Sequence, residues 1–279
     1  MGMRILYASS ARWAELGERL EAALASPDFR RLKETRRTLA GFLRVESDVV
    51  FVKRVECRPW LKGLAERVRG SRAKRALGGA EVLSRAGFAH PRPLAAFERR
   101  HYGAVRASYL VTEALQRPRV LSRFALSDGR NFTRRQWISQ HLALEIRHLH
   151  ESGCYTRDLQ ETNLMLEAHG RDLTVFFIDL EDFRRFRKVP QRLRMLNLIH
   201  LDRSIGRFVS RSRRLRFLYS YLGGKPSRVE ARETVAQLTQ IRRRIERRRN
   251  GERGGDPVIR LTNGHDSGGE VSATNPARN

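Results

Sequence analysis

Tyr155-Thr156-Arg157-Asp158-Leu159-Gln160-Glu161-Thr162-Asn163-Leu164-Met165-Leu166 opens polar and closes in an apolar run. The stretch reads as a loop that presents Asp158 and Asn163 and then enters a short buried strand. Downstream, Val175-Phe176-Phe177-Ile178-Asp179-Leu180-Glu181-Asp182 is a second run of β-branched and aromatic residues that stops at an acid. A carboxylate at the end of a buried strand is costly to desolvate unless it holds a cation or a hydrogen-bond network. Taken singly, Asp158 reads as a turn cap, Asn163 as a loop residue and Asp179 as a strand-end hydrogen-bonder. Taken in order, with apolar strands between them, the three ask for one explanation.

Phosphoryl transfer supplies it. The oxygens of ATP are neutralised by magnesium, which prefers hard oxygen ligands in octahedral geometry. Asn163 and Asp179 are residues of that kind, and Asp158 can orient an acceptor hydroxyl and take its proton. The spacing from Asp158 to Asn163, followed by an apolar run, is that of the protein-kinase catalytic-loop signature.

The chain has 279 residues, 40% of them hydrophobic, enough for one large domain or two small ones with a substantial core. Lys and Arg total 56 against 30 Asp and Glu, a formal charge of +26. Such an excess seeks phosphates on nucleic acid, lipid headgroups or glycans, and says nothing about fold. Cys57 and Cys154 are the only cysteines, which argues against a disulfide framework or a zinc site and for a reduced, cytoplasmic setting. No secretory signal and no stretch of transmembrane length is evident, so any work at a membrane is expected from its surface.

Upstream, Trp13, Leu16, Leu20 and Leu24 recur at helical spacing. Residues 1–32 are read as a leading segment whose helix packs on the core. The basic stretch Lys33 to Arg44 should hold the first strands and the loop over the nucleotide. A glycine-rich phosphate loop is not evident, since Gly41 stands alone; the stretch reads first as a solvated basic hairpin, with Lys33, Arg36, Arg37 and backbone amides as the alternative cover. Val49-Val50-Phe51-Val52-Lys53 reads as a buried strand ending in a lysine able to reach the α- and β-phosphates of ATP. Ser71 to Ala86 reads as a helix closed by Gly87. Glu81 on it is a candidate ion-pair partner for Lys53, with Glu66 a rival. Leu94 to Glu98 and Tyr109 to Glu113 look like antiparallel strands, the second leading into an interlobe hinge where backbone groups near Glu113 and Leu115 would bind the adenine edge.

Thr133 to His150 is a helix whose terminal His148 and His150 read as structural, favoured by the helix dipole. Arginines from Phe183 to Lys188 follow the second acid closely and suit an acidic acceptor. Helices are expected over Leu193 to Phe208 and Leu215 to Leu222. Gly223-Gly224-Lys225-Pro226 marks a boundary before a basic C-terminal helix to Arg249. Asn250 to Asn279 has the composition of a disordered tail.

Together these parts resemble the lipopolysaccharide kinase family, the Kdo and heptose kinases of the protein-kinase-like superfamily. The resemblance is carried by Val50-Phe51-Val52-Lys53-Arg54, Ser71-Arg72-Ala73 with Glu81-Val82-Leu83, Gly87-Phe88-Ala89-His90-Pro91-Arg92-Pro93-Leu94, Ser108 to Glu113, Arg157-Asp158-Leu159 to Asn163, and Phe177-Ile178-Asp179-Leu180. Asp202-Arg203-Ser204 and Arg216-Phe217-Leu218 extend it to about Leu222. It implies an α+β, bilobal kinase-like fold over residues 33–222, with a small antiparallel-sheet N-lobe to about 114 and a mostly helical C-lobe at 115–222. It also implies ATP and Mg2+, and phosphorylation of a Kdo or heptose hydroxyl in the lipopolysaccharide inner core. By match, Lys53 pairs with Glu81 and holds the phosphates, Asp158 is the base, and Asn163 and Asp179 hold magnesium. The enzyme would act peripherally on the cytoplasmic face of the inner membrane, with core glycolipid and anionic lipid as partners.

Three departures from the protein-kinase pattern stand out. Thr156 replaces the usual histidine before Arg157-Asp158, Gln160 replaces a phosphate-contacting lysine, and Glu181 replaces the glycine of Asp-Phe-Gly. They weaken a protein-kinase reading and leave a sugar-kinase reading intact. The alternatives are a kinase of a soluble small molecule, which an acidic acceptor cleft would favour, and a catalytically silent kinase-like binding protein, against which all the base and metal positions are filled. A specific nucleic-acid binder is not supported, because neither aromatic stacking nor zinc spacing accompanies the charge.

Overall fold

Val50 and Val52 alternate with half-exposed neighbours, the period-two pattern of a strand that buries one face. In the computed structural model, which describes residues 3–57, 70–116, 118–123, 132–169 and 172–252, they lie in β4 (Asp48–Glu56), near the middle of a six-stranded antiparallel sheet. The other strands are β1 (Met3–Ala8), β2 (Phe29–Glu34), β3 (Thr38–Val45), β5 (Pro93–His101) and β6 (Ala104–Glu113), in the order β1-β5-β6-β4-β3-β2. Helix α1 (Ala11–Ala25) lays Trp13, Leu16, Leu20 and Leu24 on this sheet, against Val50, Phe97 and Tyr109. Each such side chain contributes about 1.5–3 kcal/mol by leaving water.

Residues 3–32 are thus part of the small lobe and not a segment leading up to it. β1 pairs with β5 and β2 with β3, so both are edge strands. An edge strand tolerates exposed charge such as Arg30, Arg31 and Lys33, and that charge hides the strand pattern in the sequence.

Helix α2 (Arg72–Arg85) starts where Ser71 accepts a hydrogen bond from Lys74 N at 3.2 Å. It ends in a Schellman turn. Phe88 N donates to Leu83 O and Gly87 N to Ser84 O, with Gly87 at φ 79°. Its apolar face joins the second core, that of the helical lobe. This lobe holds β7 (Arg119–Val120), α3 (Phe132–Glu151), β8 (Cys154–Thr156), β9 (Leu164–His169), β10 (Asp172–Phe177), β11 (Phe183–Arg185), α4 (Gln191–Ile205), α5 (Arg211–Leu222) and the basic α6 (Arg228–Glu252). β9 and β10 form the hairpin that carries the loop and strand-end acids, and β8 pairs with β11 beneath it. The α+β kinase-like fold is therefore as expected. The tail beyond 252 lies outside the described residues.

Candidate active site

Lys53 faces out of β4, opposite Ala40 on β3 and Leu110 on β6. Its ammonium reaches across the lobes to Asp179 at 3.2 Å and to Glu181 at 2.8 Å. Burial opposes its charge, but Glu181 and Asp179 outweigh that and hold it above the ordinary lysine range. Glu81, the expected partner, is instead 59% exposed and paired with Arg85 at 2.5 Å. The helix turns that position to solvent, while Ala76, Gly79, Ala80 and Leu83 face inward. The rival Glu66 lies outside the described residues.

The catalytic-loop candidates are bonded to one another. Asn163 Nδ2 donates to the Asp158 carbonyl at 3.0 Å and to Asp158 Oδ2 at 3.1 Å, and Gln160 Nε2 donates to Asp158 Oδ1. Both carboxylate oxygens of Asp158 are thereby oriented. With its nitrogen engaged, the Asn163 amide would offer its oxygen to a cation. Ile178 N donates to Asn163 O at 3.1 Å, so Asp179 follows directly on a backbone bond to Asn163. Asn163 and Asp179 are thus hard oxygen donors on adjacent backbone, a set that fits magnesium. Among the described residues no three His, Cys, Asp or Glu gather to hold a metal unaided. The remaining ligands would then be phosphate and water oxygens, as is usual for magnesium.

The loop is anchored by a buried network of which the sequence singled out His150 but neither Asn197 nor Tyr221. Asn197, fully buried on α4, donates to Thr156 O at 2.7 Å. Its Oδ1 accepts from His150 Nε2 at 3.0 Å, and His150 Nδ1 accepts from the Tyr221 hydroxyl at 2.8 Å. The polar residue among Leu196, Leu198 and Ile199 was the available signal. His150 is structural, as expected, but not through a helix dipole acting on its charge. Burial, with Arg194 adding to it, lowers its pKa to about 4, so the imidazole is neutral. The unfolded chain protonates near 6.5 and the folded chain near 4. The folded state therefore loses stability as pH falls through that window. The expected loss between pH 7 and pH 4 is about 3 kcal/mol from this group. Urea midpoints across pH should reveal it, and a His150→Gln variant should flatten the dependence.

Helix α2 docks on the turn that carries the acids. Residues Leu180–Asp182 form a single 3-10 turn, and a Cβ on Gly79 would overlap the Leu180 carbonyl oxygen. Gly78, one residue earlier, is exposed and has nothing within 4 Å of a Cβ. Opposite outcomes are expected. Gly78→Ala should stabilise by about 0.5–1 kcal/mol, the ordinary helix-interior gain. Gly79→Ala should destabilise by about 1–3 kcal/mol through overpacking. Chemical denaturation of the two variants side by side checks this.

Arg157 pairs with Asp182 at 2.6 Å, and Arg184, Arg185, Arg187 and Lys188 are exposed just beyond. Glu113 donates its N–H to Arg92 O at 3.0 Å, and its carboxylate accepts from Arg92 N at 3.1 Å. Leu115 follows, partly exposed, after the end of β6. Thr35, Arg36 and Arg37 form the exposed tip between β2 and β3, where Thr35 Oγ1 accepts from Thr38 N at 3.0 Å.

A sheet lobe, a helical lobe and a lysine bridged to a strand-end acid across them define the class: a protein of kinase-like fold. The model of the lipopolysaccharide kinase (Kdo/WaaP) family matches residues 64–221. That is more than half of the chain, and the chain belongs to this family, whose members are phosphotransferases of lipopolysaccharide. A solved structure described as WaaP in complex with acyl carrier protein is similar, with a TM-score of 0.64 and 22% identity over 88% of this chain and 98% of that one. At that identity the likeness speaks to fold. A search of curated proteins returns no match. Among the described residues no helix is long and apolar enough to cross a membrane.

Proposed function

We propose that the protein transfers the γ-phosphoryl group of ATP, with Mg2+, to a Kdo or heptose hydroxyl of the lipopolysaccharide inner core. One observation carries the reading: Lys53 pairs with Asp179, the neighbouring Ile178 N–H donates to the Asn163 carbonyl, and Asn163 Nδ2 donates to Asp158, so the four residues meet in one place. In this reading Lys53 holds the phosphates, and Asn163 and Asp179 would hold magnesium, which neutralises phosphate charge when bound. Asp158 Oδ atoms, fixed by Gln160 and Asn163, orient the sugar hydroxyl and accept its proton. With the Glu113 N–H and carboxylate engaged by Arg92, the adenine edge falls to the Glu113 carbonyl and the backbone groups of Ala114 and Leu115.

The exposed cations from Arg184 to Lys188 suit a phosphorylated glycan and an anionic membrane surface, which supports peripheral work at the cytoplasmic face of the inner membrane. A cavity of about 660 Å³ between α3, α4, α5 and α6 has an apolar floor of Ile138, Leu142, Leu198 and Phe217, with Arg135 and Arg213 among its lining. With the neighbour's partner in view, an acyl carrier protein is a further candidate partner. Binding to purified acylated carrier protein at low salt supports it, and no binding there rejects it.

The test of the function is labelled-ATP transfer to core lipopolysaccharide, lipid-A–Kdo and soluble sugars in parallel. Transfer to a core glycolipid is expected. Transfer confined to soluble sugars would move the protein to the small-molecule kinases, and ATP binding without transfer to any acceptor would make it a silent binding protein.

A further inference from the structure

Helix α2 presents no acid to Lys53. Glu81 is its one acid, and it points to solvent beside Arg85. What the helix does present is Arg72 and Arg75, and both reach Glu181, at 3.1 and 3.5 Å. The Glu181 side chain is 8% exposed and divides its oxygens: Oε1 takes Lys53 and Oε2 takes the two arginines. A carboxylate so enclosed is stable only with its partners in place.

We infer that Glu181 is the positioning residue for Lys53, clamped from α2 by Arg72 and Arg75, so that the helix acts on the lysine through arginines and an acid borrowed from the strand-end turn. This rests on the kinase reading above and deepens it. Asp179 also touches Lys53, but a carboxylate that must serve a metal ion cannot be the lysine's sole anchor. Glu181 keeps Lys53 placed when Asp179 is engaged elsewhere. The close approach of Gly79 to Leu180 fixes the distance between helix and turn. One backbone segment, residues 179–181, then sets both the phosphate-holding and the metal-holding group.

Glu181→Gln keeps the shape and removes the charge. We expect kcat/KM for ATP to fall tenfold or more, and affinity for a fluorescent ATP analogue to weaken alongside it. The double variant Lys53→Met/Glu181→Gln should be no worse than Lys53→Met alone, since both remove one interaction. Glu181→Asp, which retains charge, should recover part of the loss. Should the Gln variant not melt cooperatively, Arg72→Gln/Arg75→Gln approaches from the helix side, with a smaller loss of the same sign expected. The inference is overturned if Glu181→Gln stays within twofold of wild type while Lys53→Met is impaired. It is equally overturned if the two losses multiply, or if Glu81→Gln carries the loss instead. A Lys53→Met variant that binds and uses nucleotide like wild type brings down the kinase reading itself, an outcome distinct from the others.

Discussion

Asp158→Asn should cut ATP-dependent labelling of purified core glycolipid by about 10²–10⁴-fold, the span that a positioned general base contributes. The substitution is nearly isosteric, and its neighbours are ready for it. Asn163 Nδ2 still has the residue-158 carbonyl at 3.0 Å, and Gln160 can rotate to meet an amide. The fold should therefore survive, and circular dichroism and melting should match wild type. What is lost is the capacity to take a proton, since an amide oxygen is far less basic than a carboxylate. KM for ATP should change little, because the residue addresses the acceptor and not the nucleotide. Retained labelling would reject Asp158 as the base.

Asp179→Ala should abolish labelling at any magnesium concentration tried. The carboxylate would supply the one charged protein ligand for the cation, and metal stabilisation of the transferred group is worth several kcal/mol, or at least about 10³-fold in rate. The structural cost should be small. Lys53 keeps Glu181 at 2.8 Å, and the Asp179 side chain is about one-third exposed, so the lost pair is worth at most about 1 kcal/mol. A titration of transfer rate against magnesium separates the effects. Recovery at high magnesium would mean that the residue tunes affinity only. Full activity would mean that the cation is held elsewhere, and the assignment would fall. A variant that fails to melt cooperatively would point to a structural role for the strand-end acid.

Much of this was legible in the sequence because its signals are local. The Asp158 to Asn163 spacing, the apolar runs around them and the Ser71 and Gly87 helix ends all depend on residues a few positions apart. They set the kinase-like fold and the members of the loop. The edge strands β1 and β2 were not legible, since an edge strand need not alternate and can be charged. Nor was the role of Asn197, because a buried amide is defined by what it faces, here the Thr156 carbonyl and His150.

By itself, the sequence determined that Lys53, Asp158, Asn163 and Asp179 are present, in order, at strand and loop ends. The partner of Lys53 was decided only in three dimensions. Helical rotation turns Glu81 to solvent, and the close packing of Gly79 on Leu180 brings Glu181 under the lysine. The physical reason is that an ion pair across 128 positions depends on how two cores pack against one another, and no local periodicity encodes that angle.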